Sequence, residues 1–214
     1  MSRPAMILLC SGIVALGAGC GSSGSSSSSS PSTQPPASST PSGSATTKSS
    51  AVGALSAEAK SAATGDIPDT QVFLTYTNPS PGYSLVYPEG WTRKGSANDV
   101  TFSDKNNIVH IVVTKGGAPT AASVTADLNQ LKQATPSLTF TPPAPIQLAS
   151  GVAIKTTYTT LSAPNPVTGK SVLLVVDRYE LSKAGKRATV DLGTPKGVDN
   201  VDAYRRMINS FRWR

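Results

Sequence analysis

Residues 21–50 read GSSGSSSSSSPSTQPPASSTPSGSATTKSS, and this stretch cannot supply a core. Apart from Ala37 and Ala45 it carries no apolar side chain, and Pro31, Pro35, Pro36 and Pro41 interrupt both helix and sheet. Such a composition buries too little to offset the entropy of ordering. It divides the chain into a short apolar head, a tether and one foldable region. A tether of about 30 residues has a root-mean-square reach of roughly 30 Å.

The head reads MSRPAMILLCSGIVALGAGC. Arg3 supplies a positive start, residues 5–19 an apolar run, and Gly17, Ala18 and Gly19 small residues, the pattern of a secretory signal. The run is shorter than the ~20 residues a spanning helix needs. Cys20, directly after the small residues, resembles the bacterial lipobox, whose thiol receives a diacylglyceryl group before a peptidase cuts ahead of it. The Leu often found three places before that cysteine is replaced by Gly17, with Leu16 one place further back. Cys10 follows bulky Leu9 and fits such a peptidase poorly. Lipidation at Cys20 is therefore expected over an ordinary secretory cut or an uncut anchor. Two or more acyl chains anchor stably where one does not.

The expected organisation is a lipoprotein signal peptide over 1–19, lipidated Cys20 with a Ser/Pro-rich disordered tether over 20–69, and a folded domain over 70–214. Cysteine occurs only at positions 10 and 20. With cleavage before Cys20, disulfides, zinc–thiolate sites and cysteine nucleophiles are all absent from the domain. Roughly 140 residues suffice for one self-supporting core. The net charge is +7. Its basic residues are scattered except for Arg205, Arg206, Arg212 and Arg214, which suit a solubilising surface or attraction to anionic lipid or wall polymer. The extracytoplasmic compartment, and a sequence without an aromatic-basic stacking platform, argue against nucleic acid.

From Val72 the hydrophobic period is two. Strands are expected at VFLTYTN, GYSLVYP, DVTFS and IVHIVVT, the last apolar on both faces and suited to the middle of a sheet. Residues 120–134 switch to helical spacing through Val124, Leu128 and Leu131, and Pro136 stops the helix. Short strands near 138–140 and 146–148 precede long ones at 152–161, 171–181 and 187–192. A last helix over 199–210 presents Val201, Tyr204, Ile208 and Phe211, with Asp199 and Asp202 at its positive end. Hairpin-length links make this an α+β domain with an antiparallel sheet covered by helices.

The segment GYSLVYPEGW, the amphipathic helix, the long hairpin and the closing SFRW resemble the PsbP family. That family is named for an extrinsic subunit of photosystem II, includes bacterial lipoproteins and shares its fold with Mog1 nuclear-transport factors. The resemblance spans residues 72–213. It implies an α-β-α sandwich around a central antiparallel sheet, preceded here by the signal peptide and tether. Photosynthetic members dock on a membrane complex and help retain calcium, chloride and manganese; no ion-handling residue can be carried onto this chain. The lipid foot and serine stalk look like envelope lipoproteins of high-GC Gram-positive bacteria.

Chemistry is sparse. His110 sits mid-strand and reads as a hydrogen-bonded sheet residue, and one histidine cannot build a multi-histidine zinc site. In SDKNN, Asp104, Asn106 and Asn107 suit a turn better than a calcium loop, which needs more oxygen ligands at set spacing. Asp177 and Glu180 fall on opposite faces of one strand and read as surface partners of Arg178 or Lys155. Lys115-Gly116-Gly117 does not have the spacing of a phosphate loop. Tyr83, Tyr87 and Trp91 suit core packing or, secondarily, a ligand groove. No catalytic residue, metal or cofactor is expected. The expectation is a non-enzymatic module docking on an envelope or membrane protein; the alternative is a small-molecule or lipid carrier, marked by a deep apolar pocket. Metabolic labelling with palmitate should mark the wild type and Cys10→Ala but not Cys20→Ala; label retained by Cys20→Ala would refute the anchor.

Overall fold

The structure, a computed structural model, describes residues 64–165 and 167–214. The expected signal peptide, Cys20 and most of the expected tether lie outside the described residues.

Strands β3 (Thr92–Ser96), β4 (Asp99–Asp104), β5 (Asn107–Lys115), β6 (Thr139–Phe140), β8 (Gly151–Leu161), β9 (Leu173–Lys183) and β10 (Lys186–Pro195) form an antiparallel sheet ordered β3-β4-β5-β10-β9-β8-β6. Strand β7 (Ala144–Leu148) lies beside β6 along the same edge of β8. Strands β1 (Phe73–Asn78), β2 (Tyr83–Pro88) and β11 (Arg212–Trp213) form a second, three-stranded sheet. Helix α1 (Ala121–Ala134) links β5 to β6, and α2 (Val201–Ser210) links β10 to β11. The sequence pattern leads to one sheet; the second is the β1–β2 hairpin, extended by the closing RW pair, whose Trp213 lies opposite Tyr83.

Local chemistry accounts for the elements. Thr120 caps α1 by accepting from Ser123 N at 3.1 Å while Ser123 Oγ accepts from Thr120 N at 3.0 Å, a reciprocal capping box. Ala184 and Gly185, with φ of 50° and 75°, make the two-residue turn between β9 and β10, the left-handed pair that matches strand twist. Strand β3, TRKGS, is exposed throughout. It has no apolar alternation to reveal it in sequence, and its charges protect a free sheet edge.

Alternation gives the large sheet two faces. On one, Ile111, Val190, Tyr179 and Ala153 join Tyr204, Met207 and Ile208 of α2 and Tyr83 and Leu85 of the small sheet. On the other, Ile154, Tyr158, Leu174 and Val176 pack against Val124 and Leu128 of α1. The two helices thus cover opposite faces. Tyr83 stacks on Phe211 and Tyr87 on Phe102, with ring centroids 5.5 and 4.3 Å apart; Tyr83 and Trp91 are buried in the core, and Tyr87 is partly buried against it. In α2 the apolar stripe differs from the expected one: Val201 is exposed, while Met207 is fully buried. Val201 opens the helix, before its axis has closed onto the sheet.

Asn200 joins four segments. Its Oδ1 accepts from Ile67 N at 2.8 Å, and its Nδ2 approaches Gly65 O at 3.1 Å, Asn107 Oδ1 at 3.1 Å and Thr194 Oγ1 at 2.9 Å. Asn107, a turn residue by sequence, is buried and donates to Gly65 O as well. A buried amide group removed from such a network leaves its partners unsatisfied. Asn200→Ala should therefore lower unfolding free energy by about 3 kcal/mol in urea titration; a loss below about 0.5 kcal/mol would mean the network carries no net stability.

Candidate functional site

Helix α2 packs on one face of the large sheet through Tyr204, Met207 and Ile208. Between this helix and strands β7 to β10 runs a groove of about 500 Å³. Leu192 and Tyr179 form its floor, Tyr204 and Ile208 its helical wall, and Ile146 and Leu148 its opposite wall. Ile146 and Val201, on the two lips, are exposed apolar residues.

One polar constellation interrupts the apolar floor. Lys155 Nζ lies 2.8 Å from Asp177 Oδ2 and 5.3 Å from the centre of the Tyr179 ring. Thr157 Oγ1 donates to Asp177 Oδ1 at 2.6 Å, and Tyr179 OH reaches Asp177 Oδ2 at 3.5 Å. Partial burial disfavours the Lys155 ammonium, but Asp177 and Tyr179 outweigh it, and its pKa is raised. Burial, reinforced by Asp177, raises the Tyr179 phenol as well. Lys155 therefore stays charged and Tyr179 neutral at physiological pH. Neither is poised as a general base, which works best with a pKa near the operating pH. Burial also raises the Tyr204 phenol, which donates to the Gly193 carbonyl at the edge of the groove. Such a groove can hold and orient a ligand.

The opposite face carries ions instead, beside α1. Arg178 meets Asp191 through two bonds of 2.8 and 2.7 Å, and Tyr158 OH donates to Asp191 at 3.1 Å. Arg187 bonds Glu180 and also reaches Asp127 of α1 at 2.7 Å. Burial raises the Glu180 carboxyl even though Arg187 and Arg178 pull it down. The expectation for Asp177 holds through Lys155. The surface role expected for Glu180 does not, because its side chain is 1% exposed and its partner is Arg187 from the next strand. Sequence spacing placed Glu180 correctly on the face opposite Asp177, but it could not show that α1 would close over it.

His110 lies 2.9 Å from Asp99 Oδ1 across β4 and β5, a sheet pair and not an orienting pair for a nucleophile. Asp104 and Asn107 close the turn between β4 and β5. Among the described residues no group of three or more His, Cys, Asp or Glu is arranged to hold a metal. The basic C-terminal residues have separate neighbours: Arg205 pairs with Asp202 at 2.9 Å, Arg206 lies 4.3 Å from the Phe73 ring centre, and Arg212 donates to the Asn209 and Phe211 carbonyls. The groove was not legible in sequence; only the Lys155–Asp177 pair on its floor was.

Removing Arg187 strands a buried carboxylate, a change that ordinarily costs 3–5 kcal/mol. Arg187→Met should lower stability by about 3 kcal/mol, and adding Glu180→Gln should recover part of the loss. Additive losses in a double-mutant cycle would show that Arg187 and Glu180 are not energetically coupled.

No protein-family model matches the chain, and no curated protein matches it in sequence. Solved structures do. PsbP (CyanoP) of the cyanobacterium Synechocystis sp. PCC 6803 superposes with a TM-score of 0.52 at 17% identity, covering 70% of this chain and 98% of that one. The Ran-binding protein Mog1p of Saccharomyces cerevisiae gives 0.44 at 8% identity, covering 66% and 95%. LpqN, involved in cell envelope biogenesis of Mycobacterium tuberculosis, gives 0.40 at 13% identity, covering 67% and 91%. The cyanobacterial superposition carries the assignment: the domain has the Mog1/PsbP-like fold, α+β with a large antiparallel sheet and two helices.

Proposed function

We propose that this Mog1/PsbP-like domain is a non-enzymatic binding module, held by acylated Cys20 on the extracytoplasmic side of a cell membrane, that docks on an envelope or membrane protein. The observation that carries it is the groove beside α2: preformed, open to solvent, apolar on both lips, and without a nucleophile–base pair. Ile146 and Val201, both exposed and apolar, line this one cleft, and exposed apolar surface at a cleft is a mark of an interaction site. Neither described helix is long and apolar enough to cross a membrane. The lipid on Cys20 supplies attachment, and the serine tether confines the domain to within tens of Å of the bilayer, raising the effective concentration of partners there. Anionic lipid or wall polymer at the arginine-rich C-terminus would add to retention without setting specificity.

A second reading, a carrier of small molecules or lipids, is favoured by the size of the groove. About 500 Å³ lies within the range of small-ligand sites.

In-cell crosslinking followed by membrane pull-down tests the docking reading. One dominant protein partner is expected with the wild type and should be lost with Cys20→Ala. Ile146→Glu combined with Val201→Glu alters only exposed lips and should cut recovery about tenfold or more. Unchanged recovery from the lip variant would remove the groove from the docking surface.

A further inference from the structure

We propose that the free edge of β1 takes an extended acidic segment of a partner protein by strand addition, with carboxylates of the added strand pairing with Arg93 and Arg206. This is a second surface, and it does not rest on the groove.

The backbone supplies the first half of the argument. Strand β1 ends its sheet and pairs with β2 alone. Glu89 N donates to Val72 O at 2.8 Å, so these two residues form a hydrogen-bonded pair at the start of the ladder. Bonded and non-bonded pairs alternate along antiparallel strands. Leu74, Tyr76 and Asn78 therefore turn their backbone groups to β2, and Phe73, Thr75 and Thr77 turn theirs outward. Pro88 lies opposite Phe73 and has no N–H to give, which fits the same phase. Leu74, Thr75 and Thr77 are exposed. A row of outward donors and acceptors is a template for another strand unless charge or proline blunts it. Strand β3 has Arg93 and Lys94, and β7 has Pro145. Strand β1, FLTYTN, has neither device, and residues 70–88 hold no charged side chain.

Two cations supply the second half. Strand side chains alternate, so Phe73 and Tyr76 point to opposite faces of β1. The Arg93 guanidinium carbon lies 5.3 Å from the Tyr76 ring centre, and that of Arg206 lies 4.3 Å from the Phe73 ring centre. One guanidinium thus stands on each face of the edge strand. A ring contact places a guanidinium without neutralising it. Both arginines are exposed, and none of the ion pairs among the described residues includes either of them. Glu89, at the Val72 end, is in none of those pairs either. An antiparallel acidic strand would exchange a pair of backbone bonds with each of Phe73, Thr75 and Thr77, and would meet a cation on both faces. Arginine–carboxylate bonds are charge-assisted and stronger than neutral ones. A basic strand would meet like charge twice. A second copy of this chain is a poorer occupant, because it would bring its own Arg93 and Arg206 to the same edge.

The test uses the full-length chain carrying Cys20→Ala and three synthetic peptides capped at both ends: GTEVTEVTVG, GTQVTQVTVG and GTKVTKVTVG. Their two variable positions differ in parity, so an added strand places one on each face. Binding is read by amide NMR and hydrogen exchange at Thr75 and Thr77. The methyl groups of Leu128 and Leu138, beneath α1, report whether each variant remains folded. The glutamate peptide should shift and protect both amides saturably, with about tenfold tighter affinity than the glutamine peptide, and the lysine peptide should bind most weakly. That preference should shrink as salt screens the charges. Arg93→Met combined with Arg206→Met should bring the glutamate peptide to the affinity of the glutamine peptide. Thr75→Pro removes an outward N–H and spares the β1–β2 ladder, as proline on an edge strand can. Read at Thr77, it should weaken the glutamate peptide about tenfold or more.

Equal or tighter binding of the glutamine peptide would overturn the acidic assignment. Glutamate-peptide binding that leaves the Thr75 and Thr77 amides unprotected, or that survives Thr75→Pro, would overturn strand addition. No binding of any peptide would overturn the inference as a whole. No groove residue takes part, so each of these outcomes leaves the groove reading where it stood.

Discussion

Strand β10 fixes the register on which the rest of the domain depends. It lies between β5 and β9, so Val190 sits opposite Ile111 on one side and Tyr179 on the other, and Leu192 lies between Val109 and Asp177. A strand's side chains alternate, so a slip of one residue would move every one of these to the other face. Ala188, Val190 and Leu192 would then face α1, and Arg187, Thr189 and Asp191 would be driven under α2. Gly193 tightens the constraint. A Cβ built there would come within 2.6 Å of Ile108 and 3.3 Å of Val176, so the residue at this position must let flanking side chains close over it.

With that register set, the two faces solve the problem of burial differently. The α2 face is sealed by stacked and edge-on aromatic rings, with Tyr83, Phe211 and Trp213 in sequence across the small sheet. Apolar contact of this kind is tolerant of position, so α2 can lie to one side and leave a groove without leaving unsatisfied charge. The α1 face combines an apolar patch under Val124 and Leu128 with ion pairs at Arg178–Asp191 and Arg187–Glu180. Ion pairs withdrawn from water are worth little unless well made, but losing one partner is expensive. Arg187 reaches both the sheet and the helix, so a change at this one residue is felt on both sides of the α1 face. The α2 face depends mainly on burial and ring contacts, with Lys155–Asp177 as its ion pair.

The sequence shows strands and helices where alternation or helical spacing is strong, and fails where a residue's role depends on what arrives from elsewhere. IVHIVVT, VAIKTTYTTL and SVLLVVDRYEL announce strands, and the first does lie inside the sheet, between β4 and β10. TRKGS has no apolar residue and becomes a strand only because Asp99–Asp104 offers it a partner. Met207 and Val201 change places as core and surface because the path of α2 across the sheet, not its period, decides which turn is covered. Asn107 looks like a turn residue and is one, yet its side chain also binds the backbone at Gly65, 42 positions earlier. Of the candidate site, the Lys155–Asp177 pair could be anticipated from side-chain type and adjacent long strands. The cavity above it could not, since empty space has no sequence pattern.

Asn200 ties the groove to the rest of the fold. It lines the groove at the start of α2, and it is bonded to Gly65, Ile67, Asn107 and Thr194. A buried amide withdrawn from such a network leaves its partners unsatisfied, so the start of α2 is held by the same bonds that hold the β4–β5 turn and the end of β10. One wall of the groove is thereby set by contacts outside the groove itself. A fold of this kind does not by itself determine function, but it does determine where that wall stands.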